Sequence, residues 1–411
     1  MKNSLEVCLV LFALFVSAQC VGFRGFTYDG LREPDVDRLQ ARYLREKWIQ
    51  QPVDHFNPRD DRSWAMRYYE NDGFFNGTGP MLIMLGGEWA IAPNFVQAGQ
   101  MYEIAKAHSA FMFYTEHRYY GRSHPVNDTK SENLQYLNVD QALADVAYFI
   151  ETKKNEIAGL TNSSVIVFGG SYAGNMAAWA RVKYPHLIQG AVASSAPVRA
   201  KIFAGTVQYN TVDYSGVSSI SIICDQMMDI RVGSPMLRLA KIFSRGQCVN
   251  IDYEKFVKLY FLLWHRRKIN NEDIFRTVRL WIHQTCTEYG YYQTTSSEKS
   301  IFGTLFPLDF FVQMCQDFYG EYLLDSGVRR TNLMYGGSLP DVKNVIFTNG
   351  NIDPWHALSV LEDLNENSPA ILIDGTSHCE DLYTDSPLDG ANIREARKRV
   401  RSIVGGWLTA A

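Results

Sequence analysis

One serine of the chain stands where an apolar run ends and a helical pattern begins. Ser171 follows the β-branched stretch 164–168 and precedes residues 172–184, which have helical spacing. Gly169 and Ala173 lie two positions away on either side, where a tight turn leaves no room for larger side chains. The helix would direct its positive end at the serine. The pattern predicts a nucleophile elbow, and the alternative is a glycine-rich turn with an incidental serine.

A carboxylate and an imidazole follow the serine in the order that such a site requires. Asp353 follows the apolar stretch 344–350, and His378 follows the next one, 370–375. The carboxyl ends of parallel strands meet at one edge of an open sheet, so both side chains can reach the serine. The imidazole would take the serine proton and return it to the leaving group, while the carboxylate orients the ring. The order predicts acyl transfer by the triad Ser171, Asp353 and His378.

Other residues near the proposed acid and base are rivals for these roles. The nearby carboxylates are Asp374, Asp381 and Asp385, and the nearby histidine is His356. Asp374 is expected to form a turn at a strand end, and His356 is expected to be a loop histidine. The earlier histidines His55 and His117 are expected to be structural.

Backbone amides beside the serine would stabilise a developing oxyanion. Tyr172 supplies the N–H that follows the nucleophile, and the loop after an early strand would supply the second, at Gly86 or Gly87. Each such donor is worth roughly 3–4 kcal/mol in the transition state. Glu88 comes next in the chain and is either a surface carboxylate or an anchor for a charged substrate terminus.

The elements that must position these residues alternate between strands and helices. Apolar runs typical of buried strands occupy the segments 80–89, 110–115, 164–168, 190–198, 344–350 and 370–375. Helical spacing occupies the segments 141–152, 172–184 and 392–404. The alternation predicts an α/β fold with a largely parallel sheet. Strand signals fade between about 200 and 330, where the stretches 235–243 and 253–267 predict a helical insertion that caps the sheet.

Composition and charge are those of a packed globular chain. Its 411 residues are 46% hydrophobic and 20% charged, and the net charge is −4. The length allows two or three structural units, or one large α/β domain with an insertion. The absence of a basic patch in the sequence excludes nucleic acid from the expected partners.

The first twenty residues are typical of a secretory signal peptide. Lys2 precedes the apolar stretch 7–16, and Ala18 and Cys20 are small residues suited to a cut before Val21. No later apolar run reaches the length needed to span a bilayer, so no stable membrane insertion is expected. The alternative is a retained membrane anchor.

Secretion would bring the chain into an oxidising compartment. Five cysteines follow the signal: Cys224, Cys248, Cys286, Cys315 and Cys379. Two disulfides and one free thiol are the simplest arrangement, and the spacing leaves the pairing open. Three glycosylation sequons, which begin at Asn76, Asn127 and Asn162, agree with secretion.

Several motifs together resemble the S28 family of serine peptidases. The matching stretches cover most of residues 48–407 in the family's order and include QPVDHFN (51–57), EHRYYGRSHP (116–125), GGSYAGNMAAWARVKYPH (169–186), NGNIDPW (349–355) and GTSHCEDLY (375–383). The resemblance implies an α/β-hydrolase fold with a helical insertion and the same Ser-Asp-His triad. It also implies peptide substrates cut near a terminus, an extracellular or lysosomal setting, and a disulfide between Cys286 and Cys315. No metal or cofactor is expected, and a homodimer is an open alternative.

The sequence patterns divide the chain into parts. The expected parts are a signal peptide (1–20), an arm or propeptide (21–47), a core in two pieces (48–200 and 331–411) and the insertion (201–330).

Two departures from the family pattern stand out. The insertion is shorter than the family's, because FAGTVQYN (203–210) follows the core almost at once. Cys224 and Cys248 could then lack their usual partners. Asn175 replaces the apolar residue that lines the proline pocket of prolyl-specific members, although Trp355 still supplies an aromatic wall.

The leading hypothesis is a secreted or lysosomal serine exopeptidase, either a carboxypeptidase or a dipeptidyl peptidase, with prolyl bonds among its expected substrates. One alternative is an esterase or lipase that uses the same elbow and triad. Another is a catalytically inactive binding protein on a hydrolase fold. A metalloenzyme is not favoured, because the sequence has no HExxH motif and no second ligand cluster near His378.

Overall fold

The computed structural model describes residues 30–36, 43–200, 225–234, 237–238, 241, 272–292, 294, 296, 307–320 and 323–409. Its larger unit holds the described residues 30–200 and those from 276 onwards, and its smaller unit holds those between 225 and 275. The predicted signal peptide, the helix predicted at 253–267 and most of that at 235–243 lie outside the described residues. So do Cys224 and Cys248.

An eight-stranded sheet forms the centre of the larger unit. Its strands are β1 (Leu44–Pro52), β2 (Ser63–Asn71), β3 (Met81–Leu85), β4 (Phe111–Thr115), β5 (Val165–Gly170), β6 (Gly190–Ser194), β7 (Val345–Gly350) and β8 (Ala370–Ile373). Their spatial order is β1-β2-β4-β3-β5-β6-β7-β8, and only the β1–β2 and β2–β4 pairs are antiparallel. This is the strand order of the α/β-hydrolase fold, so the predicted fold class is confirmed.

The central strands are buried along their whole length and are mostly apolar. All residues of β3, β4, β5, β6 and β7 are buried. Parallel strands between two helical layers have continuous hydrophobic runs for this reason. The edge strand β1 is largely exposed and polar, so no comparable apolar run marks it in the sequence.

Helices connect and cover the parallel strands. They are α1 (Gln100–His108), α2 (Val139–Glu156), α3 (Tyr172–Lys183), α4 (Glu272–Gln284), α5 (Leu308–Tyr319), α6 (Leu324–Tyr335) and α7 (Ala391–Thr409). Asn138 caps α2, since its side chain accepts the backbone N–H of Gln141 at 3.0 Å. A π-helical turn (Thr285–Tyr289) follows α4 directly. Among the described helices, none combines the length and the hydropathy that crossing a bilayer would require.

Part of the segment predicted as an arm or propeptide (21–47) packs against the core. Residues 30–36 are described, and Glu33 accepts the backbone N–H groups of Ala92 and Asn94 at 3.0 and 3.2 Å. Burial, which outweighs these hydrogen bonds, raises the pKa of Glu33 to about 7. The segment therefore contributes to the loop that follows β3.

Candidate active site

Ser171 lies in a tight turn between β5 and α3. Its φ of 58° and ψ of −128° are unfavourable for a residue with a side chain, as is common in strained functional turns. Its backbone N–H donates to the carbonyl oxygen of Ser194 at 3.0 Å, which ties the turn to the end of β6. A Cβ at Gly169 would lie 2.0 Å from the carbonyl oxygen of Ala173, so only glycine fits there. The turn has the geometry of the predicted elbow.

Asp353 and His378 meet at the carboxyl ends of β7 and β8. Nδ1 of His378 lies 2.7 Å from Oδ2 of Asp353, and both side chains are completely buried. The other carboxylate oxygen, Oδ1, accepts the backbone N–H of Trp355 at 2.9 Å. Because one oxygen is fixed by the backbone and the other by the ring, the carboxylate holds the imidazole in one orientation. Nε2 is then the ring atom that can exchange a proton with a serine.

The surroundings of His378 favour its charged form. Burial alone would lower the pKa, but the neighbouring Cys379 and the carboxylate of Asp353 outweigh it. Together they raise the pKa of His378 well above its ordinary value. The neutral ring, which a general base requires, therefore predominates only on the alkaline side of that raised pKa.

The rival residues contact other groups. Asp374 accepts from Asn351, Asp381 accepts from Ser194 and Thr348, Asp385 pairs with Arg397 and Arg401, and His356 contacts the backbone oxygen of Asp353. The two earlier histidines make structural contacts, His55 with Asp145 at 2.7 Å in a part-buried position and His117 with Tyr172 at 3.0 Å in a buried one. Asp353 is thus the carboxylate that contacts His378.

Residues that the sequence did not single out hold the histidine loop. The backbone N–H of Cys379 donates to Oγ of Ser195 at 2.8 Å, and Ser195 donates its own N–H to the carbonyl oxygen of Thr348 at 2.7 Å. A Cβ at Gly350 would lie 2.2 Å from the carbonyl oxygen of Thr376, so the end of β7 and this loop approach closely. These contacts join residues far apart in the chain and leave no local pattern.

The structure distinguishes between the two glycines proposed as the second oxyanion donor. The N–H of Gly86 donates to the carbonyl oxygen of Thr115 at 2.8 Å and is occupied within the sheet, which favours Gly87. The indole of Trp89 covers Gly87, where a Cβ would lie 2.4 Å from the ring. Tyr172 is the first residue of α3, so its N–H belongs to the group that intrahelical bonds cannot satisfy.

Glu88 is buried with only 3% of its surface exposed, so it is not a surface carboxylate. Its charge acts on buried phenols nearby. Burial first, and then Glu88, raise the pKa of Tyr120 well above its ordinary value. Burial and Glu88 also raise the pKa of Tyr291 against the opposing hydrogen bond from Asn175. Glu88 therefore places negative charge beside Tyr120 and Tyr291.

Asn175 and Trp355 are linked through Tyr291, which no local sequence pattern marks as part of the site. Asn175 lies one turn after Ser171 and is completely buried. Its Nδ2 donates to the carbonyl oxygen of Pro197 at 3.2 Å and to the hydroxyl of Tyr291 at 2.9 Å. The ring of Tyr291 meets that of Trp355 edge to face, with centroids 5.5 Å apart. Asn175 thus fixes an aromatic wall through its amide.

The disulfide implied by the family resemblance is confirmed. Cys286 and Cys315 are bonded, and Cys379 is a buried free thiol. The three sequon asparagines, Asn76, Asn127 and Asn162, are exposed. Within the described ranges, no group of three or more histidine, cysteine or acidic side chains could hold a metal ion.

The chain is similar to known serine peptidases over most of its length. The profile of the family described as serine carboxypeptidase S28 matches residues 51–202 and 200–400, and the two segments meet where the sequence predicts a shortened insertion. The thymus-specific serine protease of Mus musculus is 30% identical over 457 aligned positions, covering 89% of this chain and 87% of the relative. Lysosomal Pro-X carboxypeptidase of Bos taurus is 28% identical, with 88% of each chain covered. The chain belongs to the serine carboxypeptidase S28 family.

Proposed function

We propose that the protein is a serine exopeptidase of the secretory pathway that forms an acyl-enzyme on Ser171. The observation that carries the proposal is the buried contact of 2.7 Å between Asp353 and His378, at the sheet edge where the strained turn presents Ser171. Membership of the family favours peptide substrates over the esters of a lipase or esterase and favours activity over an inactive binding role.

The catalytic cycle follows from these positions. Nε2 of His378 takes the proton of the Ser171 hydroxyl as Oγ attacks the substrate carbonyl carbon. The backbone N–H groups of Tyr172 and Gly87 stabilise the oxyanion, and Asp353 stabilises the imidazolium. The imidazolium protonates the leaving amine, which departs and leaves the acyl-enzyme. A water molecule, deprotonated by the same imidazole, then releases the acyl group and restores Ser171.

Glu88 is proposed to select the substrate terminus. Its buried carboxylate would attract the ammonium group of a peptide and repel a terminal carboxylate, which favours trimming from the amino end. A strict requirement for proline is not proposed, since Asn175 stands where an apolar residue would complete a proline pocket. Trp355 and Tyr291 supply an aromatic wall against which proline or other apolar residues can pack.

The setting is proposed to be extracellular or lysosomal, with glycans on the three exposed sequon asparagines. One of the relatives is named as a lysosomal enzyme, and an oxidising compartment suits the disulfide. Peptides are the expected partners. A homodimer stays a proposal that sedimentation of the secreted protein can test.

The test uses one peptide in four forms: free, amino-acetylated, carboxy-amidated and blocked at both ends. We expect the secreted protein to trim the free and carboxy-amidated forms and to leave the other two intact, with products identified by mass spectrometry. Glu88→Gln should raise KM for the free peptide, and Asp374→Asn is the matched control at an exposed carboxylate. Trimming of only the amino-acetylated and free forms would contradict the role of Glu88. Internal cleavage of the doubly blocked peptide would contradict the exopeptidase.

A further inference from the structure

The side chain that follows the nucleophile is held by a set of buried polar groups. The hydroxyl of Tyr172 lies 3.0 Å from Nε2 of His117, and it accepts hydrogen bonds from Nε2 of Gln284 at 3.1 Å and from the hydroxyl of Tyr289 at 3.2 Å. All four side chains are at least nine-tenths buried. We call His117, Gln284 and Tyr289 the Tyr172 clamp.

The direction of each hydrogen bond in the clamp is fixed by His117. Its Nδ1 lies 2.7 Å from the carbonyl oxygen of Arg118, and a carbonyl oxygen can only accept, so Nδ1 carries the hydrogen. Burial lowers the pKa of His117 to about 4, which keeps the ring neutral above that pH. Nε2 is then an acceptor, and Tyr172 donates its one hydroxyl proton to it. The phenol oxygen accepts from Gln284 and Tyr289, which completes its bonding capacity.

Gln284 connects the clamp to distant parts of the fold. Its Oε1 accepts from the hydroxyl of Tyr120 at 2.6 Å, and its Nε2 also lies 3.3 Å from Oε2 of Glu288. Glu288 in turn accepts the first backbone N–H of α2, at Val139, at 2.9 Å. Both Gln284 and Glu288 belong to the junction of α4 with its π-helical turn, an irregularity that is common at functional sites.

We propose that His117 and Gln284 are positioning residues for the oxyanion donor. They hold the phenol of Tyr172 from two sides and so fix the start of α3, from which the N–H of Tyr172 is directed at the oxyanion. This inference rests on the proposed function. Removal of an oxyanion donor lowers kcat about 10²–10³-fold, and a donor that is displaced rather than lost should cost less. The interaction strengthens only as the oxyanion forms, so substrate affinity should change little.

The test is the pair of variants Tyr172→Phe and Gln284→Met in the full secreted protein. For both we expect kcat to fall about 10–100-fold while KM stays within about twofold. A peptide aldehyde, which forms an oxyanion on the serine, should lose affinity by the same factor as kcat/KM. Tyr119→Phe is the matched control: it also removes one buried hydroxyl, whose partner is the carbonyl oxygen of Asn133, away from the clamp. Its kcat should stay within about threefold of the unsubstituted protein.

The outcomes separate this inference from the proposed function. If Ser171→Ala abolishes activity but Tyr172→Phe keeps kcat within threefold, the clamp has no positioning role and the proposed function stands. The same conclusion follows if Tyr172→Phe or Gln284→Met acts through KM alone, or if aldehyde affinity is unchanged while kcat falls. If one of these two variants does not fold, the other decides the result. If Ser171→Ala retains activity, the proposed function fails and the clamp proposal fails with it.

Discussion

The substitution Asp353→Asn should reverse the hydrogen bond that orients the catalytic base. Oδ1 of Asp353 accepts the backbone N–H of Trp355 at 2.9 Å, and Oδ2 lies 2.7 Å from Nδ1 of His378. The substituted amide must keep its oxygen towards Trp355, because the opposite orientation would bring two N–H donors face to face. Its nitrogen then donates to Nδ1, and the ring proton moves to Nε2. In that tautomer Nε2 is a donor and cannot accept the proton of Ser171.

The expected loss of activity follows from the wrong tautomer of His378 and not from a loss of folding stability. A base locked in the wrong tautomer lowers kcat about 10⁴-fold, which corresponds to about 5 kcal/mol of transition-state stabilisation. Because the amide has nearly the volume of the carboxylate, KM should change little. The assay is steady-state cleavage of a peptide, with the rate of fluorophosphonate labelling as a second readout that needs no bound peptide.

The matched control is Asp374→Asn, at an exposed aspartate that lies on the loop of His378 and contacts Asn351. It should leave kcat within about twofold of the unsubstituted protein. The reasoning is refuted if Asp353→Asn lowers kcat less than tenfold, because the amide would then be oriented otherwise or the acid would lie elsewhere. It is also refuted if the control loses as much activity.

Three further predictions concern pH, the elbow and stability. His378 accepts a proton only when it is neutral, and its pKa is raised. As the pH falls, kcat/KM should therefore decrease with a midpoint above about 6.5, the ordinary pKa of histidine. A pH–rate profile with a lower midpoint contradicts this. Gly169→Ala places a methyl group 2.0 Å from the carbonyl oxygen of Ala173, so it should abolish fluorophosphonate labelling and lower the thermal midpoint. Gly390→Ala is the control: it has open space around its Cβ and should change neither. Burial alone would raise the pKa of Asp140, but hydrogen bonds from α3 and α6 outweigh it and lower the pKa to about 2. Asp140→Asn should therefore reduce the free energy of unfolding by about 2 kcal/mol at neutral pH. In urea unfolding that difference should shrink as the pH falls from about 4 towards 2, and a constant difference would count against it.

The sequence predicted the elements that are buried on both faces. Runs such as 164–168 and 344–350 are mostly apolar because β5 and β7 are buried along their whole length, so the strands and their parallel pairing could be predicted directly. The β1–β2 hairpin gave a weaker signal, since β1 is an exposed edge whose polar residues resemble those of a loop.

The triad could be predicted from the sequence because its chemistry requires particular residue types at strand ends, in a fixed order. The residues that surround the triad could not be predicted in this way. Ser195 and Cys379 are in contact although 184 positions separate them, and Gln284 reaches Tyr172 across 112 positions. Neither contact leaves a local sequence pattern, because serine, glutamine and tyrosine are as common on protein surfaces as in buried contacts. The sequence around Glu88 fits both a surface carboxylate and a substrate anchor for the same reason, and only its burial excludes the surface role.

The most direct test of the central claim is to label the secreted protein with a fluorophosphonate and to map the modified residue by mass spectrometry. The account predicts stoichiometric modification of Ser171 in the unsubstituted protein and no modification in a folded His378→Ala variant. Modification of another serine, or equal labelling of Ser171 without His378, would contradict a catalytic triad at this site.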